Sequence, residues 1–138
     1  LTEEELIILA SIVERESKTK EERPIIAAIL WKRFNEGFPL QADATTQYAL
    51  GYQPEEKTWW KKNLTQEDLK IDSPYNSRER LGLPPSPICN PGLDSIKAVI
   101  FRQNSPYYYY LHDSNGKVYY AQTLEEHNEN IFKYLRKN

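Results

Sequence analysis

Methionine is absent from this 138-residue chain, and cysteine occurs once, as Cys89. A lone thiol cannot form an internal disulfide. With only two histidines, His112 and His127, the ligands for a zinc site are also missing. The compartment stays open, because an extracytoplasmic bacterial domain can do without disulfides. An excess of positive charge is missing too: 18 Lys and Arg face 20 Asp and Glu, giving a net charge of −2. A basic face for nucleic acid is therefore not expected. There is no Gly-rich phosphate loop, no Ser-His-Asp signature and no membrane-spanning apolar run. These absences set aside the common nucleotide, serine-hydrolase and metalloenzyme readings. The chain opens directly on a helix signal without an initiator methionine, and is read as part of a longer protein.

Aromatic residues are plentiful, with ten Tyr and three Trp. Packing and strand propensity account for most of them, and stacking surfaces for sugars are the functional alternative. The length suits one domain with a core, taken as residues 1–138.

Helix and turn signals alternate along the chain. Thr2 with Glu5 is a capping box, and Leu6, Leu9, Ala10 and Val13 follow at helical spacing. Pro24 suits the start of a second helix, which Gly37 would end. "FPLQADATTQYALG" reads as an extended piece, a loop and a brief helix, and Thr65 as the cap of a short helix. Between them Trp59 and Trp60 sit in a polar stretch read as a surface loop. "LDSIKAVIF" is a further helix. "YYYYLHD" and "KVYYAQT" flank an Asn-Gly turn as a hairpin, and Thr123 with Glu126 caps a closing helix. Several short helices with one small antiparallel sheet make the fold class α+β.

Two places invite chemistry. In "LIILASIVERESK" an apolar helix ends in Glu14 and Glu16. On an ideal wheel Glu16 lies roughly 70° and Glu14 roughly 90° from the apolar direction, on opposite sides. Either carboxyl is a solvated flank or, partly desolvated, a proton donor with a raised pKa; the pattern does not choose. The second place is residues 73–92, a loop holding five prolines and two glycines. It is either a rigid connector or a stiff frame that presents Tyr75, Asn76 and Asn90 to a ligand. "LQAD" places Gln41 and Asp43 on one side of an extended segment, with helix capping as the plainer role for Asp43. Cys89 reads as a small buried hydrophobe and His127 as a half-exposed helix residue.

In order, "ASIVERES", "ERP" opening a helix that ends "RFNEG", "PLQAD", "IDSPYNS", "GLPPSPICNPG" and "TLEEHN" resemble the YceG-like family of endolytic murein transglycosylases. The likeness runs over nearly the whole chain. It implies cleavage of the MurNAc-β-1,4-GlcNAc bond of peptidoglycan glycan strands, giving 1,6-anhydro ends, with no cofactor and no metal. It assigns the catalytic acid to Glu16. Ser17, Gln41, Asp43, Tyr75, Asn76 and Asn90 would contact the substrate, with His127 and Asn128 beside them. A membrane anchor outside this chain, an extracytoplasmic location at the bacterial inner membrane, and peptidoglycan synthases as partners are also implied. The chain departs from the family pattern "LQTDPT" at Ala42 and Ala44, and has Ser86 where glycine and Lys32 where asparagine are usual. The other readings are a hydrolytic muramidase using Glu16 with Asp43, and a non-catalytic glycan-binding module built on the Tyr-rich hairpin.

Overall fold

The structure, a computed structural model, describes residues 1–135. Helix α1 spans Glu3–Glu16, and its capping box is formed in both directions. Thr2 Oγ1 accepts from the Glu5 amide at 3.1 Å, and the Glu5 carboxylate accepts from the Thr2 amide at 2.9 Å. Glu3, Glu4 and Glu5 in the first turn also complement the helix dipole. Six consecutive residues, Ile8 to Val13, are buried, so α1 is covered on all sides rather than along one stripe. Helices α2 (Arg23–Asn35), α3 (Asp43–Leu50) and α4 (Leu93–Ile100) all pack on it. Leu9, Ile12, Val13, Ile26, Leu30 and Val99 are fully buried at the centre of this core.

Local chemistry sets the helix ends. Pro24 lies in the first turn of α2, where its missing N–H leaves no helical bond unmade. Gly51 takes φ +75° at the end of α3, a left-handed conformation that glycine adopts without strain. The segment after Thr65 forms only a single 3₁₀ turn, Asp68–Lys70, instead of a capped helix. Thr65 does accept from the Asp68 amide at 3.0 Å. The turn buries no residue fully, so no packing drives its extension. In the preceding loop Trp59 is 63% exposed, whereas Trp60 packs on the core under the Arg15 guanidinium, 4.0 Å from the ring centre.

Strands β1 (Tyr109–His112) and β2 (Val118–Ala121) pair antiparallel as the expected hairpin, Tyr110 opposite Tyr120. Asp113 closes its turn by accepting from the Asn115 and Lys117 amides, and Gly116 takes φ +85°. The capping box at Thr123 starts α5 (Leu124–Asn130), which widens into a π-helical turn over Ile131–Leu135. The last two residues of the expected closing helix, Arg136 and Lys137, lie outside the described residues. Five α-helices and a two-stranded sheet among the described residues match the α+β class. No described helix is long and apolar enough to cross a membrane.

The Pro/Gly-rich loop is strapped to the central helix. Buried Ser11 donates to the Ile8 carbonyl at 2.6 Å and accepts from the Ile88 amide at 3.0 Å. Cys89 Sγ reaches the Ser11 carbonyl at 3.3 Å. The Ile88 amide and the half-buried Cys89 side chain thus hold the loop against α1, close to the two glutamates.

Candidate active site

Glu14 and Glu16 stand two residues apart at the end of α1, yet they meet opposite environments. Glu14 Oε1 accepts from the Gly92 amide at 2.9 Å and from Ser95 Oγ at 2.8 Å. It caps the start of α4 from across the fold. The Gly92 amide and then Ser95 hold its carboxyl below the usual range, against a smaller desolvation. Such a carboxylate stays ionised and makes a poor proton donor.

Glu16 is the reverse case. It is the last residue of α1, where the helix runs out of the core into a cleft of about 880 Å³. That volume is within the range of about 300–1,000 Å³ usual for ligand sites. Its Oε2 accepts from the Ala44 amide in the first turn of α3, at 3.0 Å. Its Oε1 accepts from the Tyr110 hydroxyl on β1. Burial, followed by the nearby Asp43, raises its pKa to about 7; Tyr110, the Ala44 amide and Arg78 pull the other way without overcoming them. A carboxyl with a pKa near neutrality can both give and take a proton at physiological pH. Tyr110 is itself raised well above its ordinary value, by burial first and then by Glu16, so it stays a hydroxyl.

The cleft walls come from several parts of the fold. Arg15 and Glu16 stand at the end of α1 with Lys18 just beyond it, Gln41 and Asp43 at the entry to α3, Tyr110 to Asn115 on the hairpin, and His127 on α5. Arg33 and Arg78 also line it. Arg33 is buried, with Nε donating to the Tyr108 carbonyl at 2.7 Å and Nη1 to the Pro39 carbonyl at 2.8 Å. Among the described residues no group of three or more His, Cys, Asp or Glu side chains converges as a metal site.

The other sequence-derived positions divide. Gln41 and Asp43 do line the cleft, but not on an extended segment. Gln41 is left-handed at φ +53°, and Asp43 is already the first residue of α3. Asp43 is exposed and pairs with Arg78 at 2.7 Å. Its helix is entered from Ala42, whose amide donates to Ser77 Oγ at 3.0 Å. Ser17 caps the end of α1 with its backbone, and its buried Oγ has no hydrogen-bond partner among the described residues. Tyr75, Asn76 and Asn90 are not among the cleft-lining residues. Tyr75 bonds Ser86 Oγ at 2.7 Å and packs on Tyr48. Asn76 is 0% exposed, and its amide donates to the Leu69 and Ile71 carbonyls at 3.0 and 2.9 Å. Its Oδ1 accepts from the Arg78 amide, so Asn76 builds the loop that presents Arg78. Asn90 is exposed, two residues before the Gly92 amide that Glu14 holds. His127 stacks on Tyr109 with ring centres 4.9 Å apart, and burial followed by Arg33 lowers its pKa. Asn128, next to it, is exposed outside the cleft.

Sequence reasoning missed Tyr110, Arg78 and the Ala44 amide. "YYYY" has no polar alternation to tell one face from the other, and a backbone donor leaves no trace in a residue pattern. The buried Glu22 was missed as well. It accepts from the Lys18 amide and the Thr19 hydroxyl at 3.1 and 2.9 Å and bonds the His112 ring. It thereby fastens the turn after Glu16 to the strand that carries Tyr110.

A polar cleft around one carboxyl poised near neutrality makes a candidate acid–base site on an α+β domain. Comparison with known proteins narrows the class. The sequence profile of the YceG-like family matches residues 1–133, and the chain belongs to that family. It is 38% identical to an endolytic murein transglycosylase of Bacillus subtilis, over 94% of this chain and 34% of that protein. It is 37% identical to an endolytic murein transglycosylase of Streptococcus pneumoniae, over 98% of this chain and 24% of that protein. A crystal structure of a yceG-like protein from Listeria monocytogenes superimposes with a TM-score of 0.79 at 39% identity, covering 90% of this chain and 38% of that one. The chain thus spans about a quarter to a third of the length of these curated relatives.

Proposed function

We propose that this chain is the catalytic domain of an endolytic murein transglycosylase, with Glu16 acting first as acid and then as base. The observation that carries the reading is the Glu16 carboxyl itself, raised to about 7 at the floor of a sugar-sized cleft. Protonated Glu16 gives its proton to the oxygen of the MurNAc–GlcNAc bond. The C1–O bond breaks, and positive charge develops at C1 of the muramic acid. The carboxylate then takes the proton of that sugar's C6 hydroxyl, whose oxygen closes on C1. The product is a 1,6-anhydro end; Glu16 has lost and regained one proton, and no water is consumed. One carboxyl suffices, whereas a common glycosidase uses two. The exposed Asp43 is held by Arg78, a geometry suited to shaping the local charge more than to attacking an anomeric carbon.

Gln41, Asp43 and Arg78 contact the glycan from the α3 side of the cleft, and His127 from the α5 side. Tyr75, Asn76 and Asn90 act on the substrate through the loop they shape, and Ser17 sets the exit of α1. In the parent protein the domain works on the outer face of the plasma membrane, held by an anchor and placed beside the synthases whose nascent strands it terminates. The names of the relatives support the murein substrate, and murein lies outside that membrane.

The acid must start protonated, which fixes the sign of the pH dependence. Cutting of uncrosslinked glycan strands is expected to hold steady below the Glu16 pKa and to fall about tenfold per unit above it. Initial rates of new-end formation across about two units either side of neutrality check this. A rate that stays flat through that interval would remove Glu16 from the role of acid.

A further inference from the structure

Both oxygens of the Glu16 carboxyl are engaged, by donors of different kinds. The Ala44 N–H belongs to the backbone of a helix and can only donate. The Tyr110 hydroxyl rotates and can donate or accept. A protonated carboxyl carries one hydrogen, and its carbonyl oxygen is the better acceptor, so a fixed N–H aimed at Oε2 favours that hydrogen on Oε1. We propose that the Ala44 amide is a positioning group that holds Oε2 as a permanent acceptor and so makes Oε1, beside Tyr110, the oxygen through which the proton passes. The inference rests on the reading of Glu16 as the acid for its catalytic meaning, but not for its geometry.

The arrangement is balanced in both protonation states. With Glu16 neutral, Ala44 donates to the carbonyl oxygen Oε2, and Oε1–H points to the Tyr110 oxygen or to a substrate oxygen that replaces it. With Glu16 ionised, Ala44 donates to Oε2 and Tyr110 turns to donate to Oε1. One donor therefore never moves and the other reverses, so a proton can leave and return without rotation of the carboxyl. Asp43 on α3, Arg78 on the loop, and Tyr110 with Arg33 behind it are the ionisable groups that bear on Glu16 or its hydroxyl partner. None of them can supply a donor fixed by a helix backbone. Position 44 lies in the first turn of α3, where a proline ring is tolerated but supplies no N–H.

The test is the titration of Glu16 in the whole chain, followed by the carbon chemical shift of its side-chain carboxyl. Ala44→Pro removes the N–H and should raise the midpoint by roughly one unit, because the donor favours the ionised form. Ala44→Gly keeps the N–H and should leave the midpoint near the parent value. An ester at the 43–44 linkage, with the alanine side chain kept, removes the donor even if the proline variant does not fold, and should match its upward shift. An unmoved midpoint in the proline and ester chains, or an equal shift in the glycine chain, would overturn the proposal. The falling limb of strand cutting with pH should move with the titration. A midpoint that moves while the cutting limb stays put would support the positioning role and count against Glu16 as the acid, which separates the two claims.

Discussion

Glu16→Gln is expected to slow the formation of new strand ends by roughly a thousandfold, with folding intact. The amide is isosteric, and its carbonyl oxygen can still accept from the Ala44 amide that now reaches Oε2 at 3.0 Å. It cannot donate an acidic proton, and it cannot take one from a sugar hydroxyl. Both halves of the reaction lose the same group, so the effect should exceed that of losing an ordinary contact. Glu14→Gln is the matched control, two residues earlier on the same helix end. Its carboxylate holds the Gly92 amide and Ser95 outside the cleft, so its loss should lower stability by about 1 kcal/mol. Strand cutting by that variant should remain within a fewfold of the parent. Comparable losses of cutting in the two variants would mean that α1 geometry, not the Glu16 proton, governs the rate. Thermal unfolding of each protein beside its cutting rate distinguishes these outcomes.

Glu22→Ala should carry the largest stability effect among the polar residues, about 3 kcal/mol. The residue is 3% exposed and accepts from the Lys18 amide, the Thr19 hydroxyl and the His112 ring. Desolvation pushes its carboxyl up, but His112, the Lys18 amide and Thr19 outweigh it and leave the pKa lowered. A lowered carboxyl contributes stability above its unfolded pKa, and that contribution is lost as pH falls through the folded value. Truncation strands the Lys18 amide, the Thr19 hydroxyl and a half-buried imidazole at once. In a domain of this size the change corresponds to a drop of roughly 10 °C in Tm. The loss should shrink as pH falls, since acid removes the same contribution from the parent. Calorimetry of both proteins near neutrality and in acid checks this, and equal losses at both values would show that the Glu22 charge is not what holds the turn. Strand cutting should fall as well, because Glu22 links the turn after Glu16 to the strand that bears its Tyr110 partner.

Local signals made much of the fold legible. Thr2 with Glu5 and Thr123 with Glu126 form the capping boxes their spacing suggests, and the Asn-Gly turn joins two antiparallel strands. Those features depend on neighbours a few residues away. The environment of Glu16 does not. A helical wheel treats α1 as having one wet side, and on that picture Glu14 and Glu16 are equivalent flanks. In the fold α1 is wrapped by α2, α3 and α4, and what separates the two acids is what arrives from elsewhere in the chain. Gly92 and Ser95 reach Glu14, while Ala44 and Tyr110 reach Glu16.

The Pro/Gly-rich loop shows the same limit from the other side. Its composition marks a stiff frame, and it is strapped to Ser11 of the central helix. Which of its polar groups turn inward was not written in the pattern. Asn76 is locked in the loop's interior, Tyr75 faces Tyr48 and Ser86, and Arg78 is the side chain that enters the cleft. "LQAD" likewise looked extended, but the left-handed Gln41 turns the chain straight into α3 and aims the Ala44 amide at Glu16.

The central claim is that one carboxyl both gives and takes the proton, so that the strand end closes on itself. The direct measurement is the mass of the ends formed when uncrosslinked glycan strands are cut by this chain in heavy-oxygen water. The expected ends are lighter than reducing ends by one water and carry no solvent oxygen. Reducing ends labelled with heavy oxygen would contradict the claim, because water would then be the nucleophile and a second carboxylate would have to activate it.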